Sequence, residues 1–297
     1  MRDYVIVTDS CSDMYKDLRE KYNVDYIPMH IMYKGKEIPA SLDWGEYFTQ
    51  RELWDEIETK TRLTTSQINE SEYTERFTQY LEAGKDILSI SCSSALSQSI
   101  NSSRMAKAAL EKKYPDAKIY CIDSLNACKG LGLMTITASS MRAEGKSIDE
   151  VAAWLEKNKL CVHQWCTVDD LGYFKRAGRV TGAAAFFGGI LQVKPIIVSD
   201  AKGHNAPITK VKGRKASIKA LVDATKENII DPENQILYVC HGDCLEAAES
   251  FAEQLREAVN PKDIYIDWLG PIIGATAGDG TLVVFFYGNE VTFVKED

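Results

Sequence analysis

Short β-branched runs that break abruptly into turns alternate along this chain with stretches of helical period, and that alternation limits which folds are open to it. YVIVT at 4–8 is followed by a helix opened by Ser12 and then by VDYIPMHIMY, which leads over Lys34-Gly35-Lys36 into a hairpin. A helix over 70–83 stops at Gly84, DILSISC reads as a strand, a helix over 96–113 ends before Pro115, and AKIYCID is the next strand. Apolar strands separated by helices pair in parallel, with the helices covering the sheet. A further helix over 126–143 ends at Gly145, and Ser147 with Glu150 forms a capping box in which each side chain satisfies an orphan amide of the other.

The second half is wired differently. VHQWCTV is followed by the helical stretch LGYFKRAG and an apolar run, and VKPIIVSD and PITKVK read as a hairpin turned at Gly203. Helix 216–228, strand QILYVCHG, helix 244–259 and strands IYIDW and TLVVFFYG complete it. The expected fold class is α/β: an amino-terminal parallel-sheet domain over residues 1–160 beside a carboxy-terminal two-layer domain over 161–297 with a mixed or antiparallel sheet. A chain of 297 residues suits two such cores.

A net charge of −8 counts against nucleic acid and anionic membranes, which demand clustered positive charge. The start carries Arg2, Asp3 and Asp9 rather than an apolar leader, and AAAFFGGIL at 183–191 is too short to span a bilayer, so a cytoplasmic chain without stable membrane insertion is expected. Eight cysteines in such a setting read as reduced thiols. Cys161, His163 and Cys166, and Cys240, His241 and Cys244, lack the spacing that wraps a tetrahedral zinc, so no metal is assigned.

Four polar segments end apolar strands or begin helices: Asp9-Ser10-Cys11-Ser12-Asp13, Thr64-Thr65-Ser66-Gln67, Ser93-Ser94-Ala95-Leu96-Ser97, and the glycine-rich run from Gly274 to Gly280. Hydroxyls and free amides at helix starts suit a carboxylate or phosphate, while the same residues also cap helices and close turns. Catalysis has thinner support. No nucleophile elbow, dinucleotide fingerprint or P-loop is present, and a hydrolase or phosphotransferase would have to use Cys11, Ser94 or His241. Residues 173–197 carry Lys175, Arg176 and Arg179, then glycines among aromatic and aliphatic residues. Phe187, Gly188, Ile190 and Leu191 there leave space for a chain-like ligand or serve as core packing. Lys210, Lys212, Arg214 and Lys215 form a second basic run, open to reading as a solvated edge.

Taken in order, VTDSCSD, TTSQ, SSALS, CIDS with GLG at 131–133, YFKRAGRV, VKPII, GRK and GPIIGATAGDG resemble the DegV family of bacterial fatty-acid-binding proteins along nearly the whole chain. The resemblance implies a long-chain fatty acid such as palmitate, stearate or oleate, buried between two α/β domains, with no other cofactor and no catalysis by the chain itself. A separate fatty acid kinase would receive the carboxyl group to form an acyl phosphate. It places the carboxylate at Thr65 with Thr64 adjacent, at Ser94 with Ser93 adjacent, and at Thr276, where the family commonly has histidine. Asp9, Ser10 and Gly274 become pocket scaffold, and Arg179 and Arg214 contacts for phosphate or for the kinase. Asp279 stands where proline is usual, Gln98 where glycine is, and Ile68 where proline is.

Overall fold

A computed structural model describes residues 2–59, 63–181 and 193–295. The first sheet pairs β2 (Asp25–Ile27), β1 (Tyr4–Asp9), β6 (Asp86–Ser91) and β7 (Ile119–Asp123) in that order, all parallel. Every residue of β6 is buried, which is why its sequence shows no alternation. Helices α3 (Glu70–Glu82) and α4 (Ser99–Lys113) pack against each other beside β6, and α5 (Cys128–Ala143) and α6 (Ile148–Asn158) follow β7.

The second sheet has the order β10 (Asn205–Lys212), β9 (Val193–Ser199), β8 (Val162–Thr167), β13 (Leu282–Tyr287), β11 (Ile236–His241), β12 (Asp263–Trp268). Only β11 and β12 run parallel, so the sheet is mixed. Its two faces are buried in different surroundings. Phe286 joins a cluster under α8 (Arg214–Asn228) and α9 (Leu245–Val259), whereas Phe285 belongs to the main core that continues from Tyr4 through the first sheet. The expected boundary near 160 falls at the turn Lys159–Cys161, and the main core runs across it.

Several local expectations are corrected. Ser12 does not open a helix: Ser10–Ser12 is a single 3₁₀ turn whose N-cap, Asp9, accepts from the Cys11 amide at 2.9 Å. Asp13 then takes a left-handed φ of 49°, and α1 (Lys16–Tyr22) starts only after it. A third, antiparallel sheet of β4 (Lys36–Pro39), β3 (His30–Tyr33) and the two-residue β5 (Thr65–Ser66) extends the expected hairpin. The segment GATA is helical rather than a loop. It ends α10 (Pro271–Ala277), which proline opens and Gly278, at φ 79°, closes. Helix α2 (Gln50–Glu58) was unforeseen, although Thr49 and Glu52 form its capping box.

Trp54 of α2 is fully buried against the second half of the chain. A Cβ at Gly274 would lie 3.2 Å from its ring, and one at Gly242 3.1 Å, so the indole occupies a slot that two glycines leave open.

Candidate binding site

The parallel strands β1, β6 and β7 all end at one edge, and the loops leaving them face the second sheet and α10 across a cavity of about 320 Å³. That volume falls within the ~300–1,000 Å³ of small-molecule sites. Carboxyl edges of parallel strands are where such folds hold ligands. Cys11, Thr65, Ser94, Thr276 and Arg179 all line this cavity, bringing all four polar segments and the first basic one to a single site. Its apolar wall comes from both halves: Met29, Leu96, Phe174, Ile272, Val283 and Phe285.

Internal hydrogen bonds hold the loops in place. Ser99 Oγ accepts from the Ile68 amide at 3.2 Å, tying the chain just after the Thr65 segment to the start of α4. The Ser94 amide donates to Asp123 Oδ1 at 3.2 Å, while no described residue bonds the Ser94 or Thr65 hydroxyl. Thr276 Oγ1 donates to the Ile272 carbonyl at 3.0 Å, and the residue lines the cavity. Across the mouth Arg179 Nε reaches the Leu96 carbonyl at 3.2 Å and its Nη1 the Ala177 carbonyl at 2.7 Å.

Asp9 and Ser10 do not themselves line the cavity. Asp9 is fully buried and accepts from the Cys11 and Cys92 amides at 2.9 and 2.8 Å, yet burial pushes its carboxyl up to about 6. Ser10 Oγ accepts from the Met29 amide at 2.9 Å. Gly274 supports the site only indirectly, through the Trp54 slot.

Other expected residues lie elsewhere. Thr64 is exposed and does not line the cavity, whose share of that segment begins at Thr65. Ser93 is fully buried and donates to the Gly203 carbonyl at 2.9 Å while accepting from the Ala95 amide, so it stitches the two halves together instead of lining the site. Arg214 opens α8 away from the cavity wall and donates to the Gly280 carbonyl at 2.5 Å, 3.7 Å from Asp169. Phe187, Gly188, Ile190 and Leu191 lie outside the described residues.

Gln164 and Asn205 also line the cavity, joined by a 2.9 Å hydrogen bond from Gln164 Nε2 to Asn205 Oδ1. The sequence carried only a partial signal for them. In strand VHQWCT, Gln164 and Cys166 share a face, but nothing in the pattern says what that face meets.

Apart from Arg179 at the mouth, the polar groups on the wall are hydroxyls, amides and thiols. The adjacent Cys92 thiol and burial together hold Cys11 well above its ordinary range, and burial pushes Cys166 up to about 12, so neither is a thiolate near neutrality. Among the described residues no histidine lines the cavity to serve Ser94 as a base. His241 is buried off this wall, its ring 4.6 Å from that of Trp268, and burial lowers it to about 4. No group of three or more metal-ligating side chains occurs among the described residues, and no helix there is long and apolar enough to cross a membrane.

Comparison with known proteins places this geometry in a lineage. The model of the uncharacterised DegV protein family matches residues 3–289. A DegV domain-containing protein of Clostridium perfringens is 37% identical over 289 residues, covering 97% of this chain and 99% of the relative. A DegV lipid-binding protein from Thermotoga maritima has a similar fold, with a TM-score of 0.82 and 26% identity over 98% of this chain and 100% of that one. A DegV family protein from Thermus thermophilus, described by its fatty acid binding, gives a TM-score of 0.85 at 25% identity, over 97% of this chain and 100% of that one.

Proposed function

The chain belongs to the DegV family, and from that premise we propose that it binds a long-chain fatty acid such as palmitate, stearate or oleate and presents the carboxyl group to a separate fatty acid kinase. One observation carries this reading: Thr65, Ser94 and Thr276 share the wall of one cavity with an apolar set that includes Met29, Leu96, Phe174, Ile272, Val283 and Phe285. The head group rests at those hydroxyls, and the acyl chain runs between the segments 1–160 and 161–297. Both structural relatives named above, 26% and 25% identical to this chain, are described as lipid or fatty acid binding.

The energetics favour a carrier. Burying ~14 methylenes at ~0.8 kcal/mol each supplies on the order of 11 kcal/mol before ordering costs. The tail therefore provides the affinity. A carboxylate is costly to bury alone, and two or three hydroxyl or amide donors offset that cost and select an acid over a hydrocarbon. Arg179, exposed at the mouth, is the cation placed to meet a phosphate as it is transferred, whereas Arg214 is left to contacts on the outer surface. Among the described residues the cavity wall carries no histidine, and its Cys11 and Cys166 thiols are held protonated. A hydrolytic reading would need Cys11 as a thiolate or His241 beside Ser94, and neither arrangement is present among the described residues.

Organic extraction of the purified protein, followed by mass spectrometry, is expected to release one long-chain acid per chain. Delipidated protein should gain melting temperature when palmitate or oleate is added. An empty extract together with no thermal shift defeats the reading.

A further inference from the structure

A buried charged cluster crosses the seam between the two halves of the chain, directly behind the cavity wall. Asp13 and Lys129 come from the first half and are fully buried; Asp267 comes from the second, with its side chain 15% exposed. Lys129 Nζ lies 2.9 Å from Asp267 Oδ2 and also donates to the Asp13 carbonyl oxygen. Cys128, a residue of the cavity wall, donates from Sγ to Asp13 Oδ2 at 3.0 Å. The rings of Tyr15 and Tyr265 stand 5.1 and 5.5 Å from the ammonium.

One ammonium thus ties the Asp13 main chain to the Asp267 carboxylate, beside a fully buried Asp13 carboxyl that has no ion-pair partner of its own among the described residues. The backbone is committed to the arrangement, since Asp13 and Cys128 both adopt left-handed φ angles, 49° and 51°, which non-glycine residues keep only where their surroundings over-determine them. Asp13 Oδ1 presses on the Gly270 backbone, leaving no room there for a Cβ.

We propose that this cluster is a proton-sensitive clasp: with Asp13 protonated the seam stays closed over the cavity, and with Asp13 ionised the surplus negative charge favours opening and release of the acyl ligand. The proposal rests on the acyl-binding reading of the cavity. Burial pushes the Asp13 carboxyl up to about 7, against the Cys128 thiol, Lys129 and the Gly270 amide, with Asp267 adding to the rise. Cys240 faces the same cluster through its effect on Tyr15 and Lys129. Burial alone would lower the Lys129 ammonium, but Asp267, Cys240 and Asp13 hold it raised, so the lysine stays charged throughout. Opening the seam hydrates Asp13 and returns it toward its ordinary 3.8, releasing a proton. Opening is therefore increasingly favoured as pH rises from about 4 to about 7, and loses its pH dependence above that.

The test is the rate at which a fluorescent palmitate analogue leaves the full chain for excess serum albumin between pH 5 and 8.5. In the wild type the rate is expected to climb toward pH 7, by at most about tenfold per pH unit, and then level off. Asp13→Asn should flatten that climb while leaving the ligand's own titration in place. Cys128→Ala, which removes a donor that pulls the carboxyl down, should move the levelling point to higher pH. A flat wild-type profile, or the same slope in Asp13→Asn, overturns the clasp while leaving acyl binding intact. Should Asp13→Asn fail to fold, an unmoved levelling point in Cys128→Ala overturns it equally. A chain that binds no fatty acid at any pH removes the acyl reading and the clasp together.

Discussion

Arg179 Nε donates to the Leu96 carbonyl oxygen at 3.2 Å, joining the segment after α7 (Gly172–Ala177) to the loop after β6 across the cavity mouth. The guanidinium is exposed, so its attraction for an anion is open to screening. Arg179→Ala is expected to weaken binding of a fatty acid several-fold at low ionic strength, with the deficit shrinking toward ~1 M salt, where the Debye length falls to ~3 Å. Titrating wild type and variant at both salt concentrations checks this. A deficit independent of salt would assign Arg179 to loop positioning alone.

Thr65 and Ser94 differ from Thr276 in having hydroxyls that no described residue occupies. A hydrogen bond to a charged group contributes ~1.5–3 kcal/mol, so Thr65→Ala or Ser94→Ala should each weaken palmitate binding by roughly 10- to 100-fold. Methyl palmitate, which lacks the charge, should lose far less. Equal losses for acid and ester would mean that these side chains shape the wall without meeting the head group.

These hydroxyls were legible in the sequence because loops at the ends of apolar strands reveal themselves by residue type. The parallel first sheet was legible for a related reason: each of its strands is a local apolar run, and helices of recognisable period separate them. Features that depend on distant partners were not. β5 is two residues long and exists because Ile31 pairs with Thr65. The run GATAGDG looked like a turn, yet only Gly278 and Gly280 have positive φ, 79° and 69°. Gly274 is helical, and its missing side chain makes room for Trp54, over two hundred positions away. Nor could spacing reveal that Ser93 serves the seam and Ser94 the cavity, because adjacent hydroxyls are separated only by what each one faces.

The slot around Trp54 predicts unequal costs at its two glycines. A Cβ at Gly242 would overlap the Gly278 carbonyl oxygen, which is backbone and cannot swing aside. A Cβ at Gly274 would meet Trp54 and Ile57 Cδ1 at 3.2 Å, a contact that small shifts relieve. Alanine is also favoured over glycine inside a helix by ~1 kcal/mol, which offsets part of the crowding at Gly274. Gly242→Ala should therefore destabilise by about 1–3 kcal/mol, and Gly274→Ala by less than about 1. Urea unfolding of both variants reads the difference directly. A larger loss at Gly274 would show that the indole, not the backbone, is the rigid wall of the slot.

His241 gives a pH dependence of opposite sign to that of the buried carboxyls. Its Nδ1 accepts from the Cys244 amide at 3.3 Å, which puts the proton of the neutral ring on Nε2. Burial lowers its pKa from 6.5 to about 4, so the folded state refuses a proton that the unfolded chain accepts. The resulting stability is fully present above about 6.5 and is lost as pH falls toward about 4, a contribution on the order of 3 kcal/mol. Asp9 and Asp13, raised to about 6 and about 7, act the other way: the folded state holds their protons more tightly, so their linkage favours folding as pH falls. The wild-type profile alone mixes these slopes, and His241→Gln separates them. The advantage of wild type over that variant should be largest near pH 7 and decline steadily toward pH 4 in urea unfolding. A difference that stays constant across the range would mean that His241 takes up its proton without leaving the core.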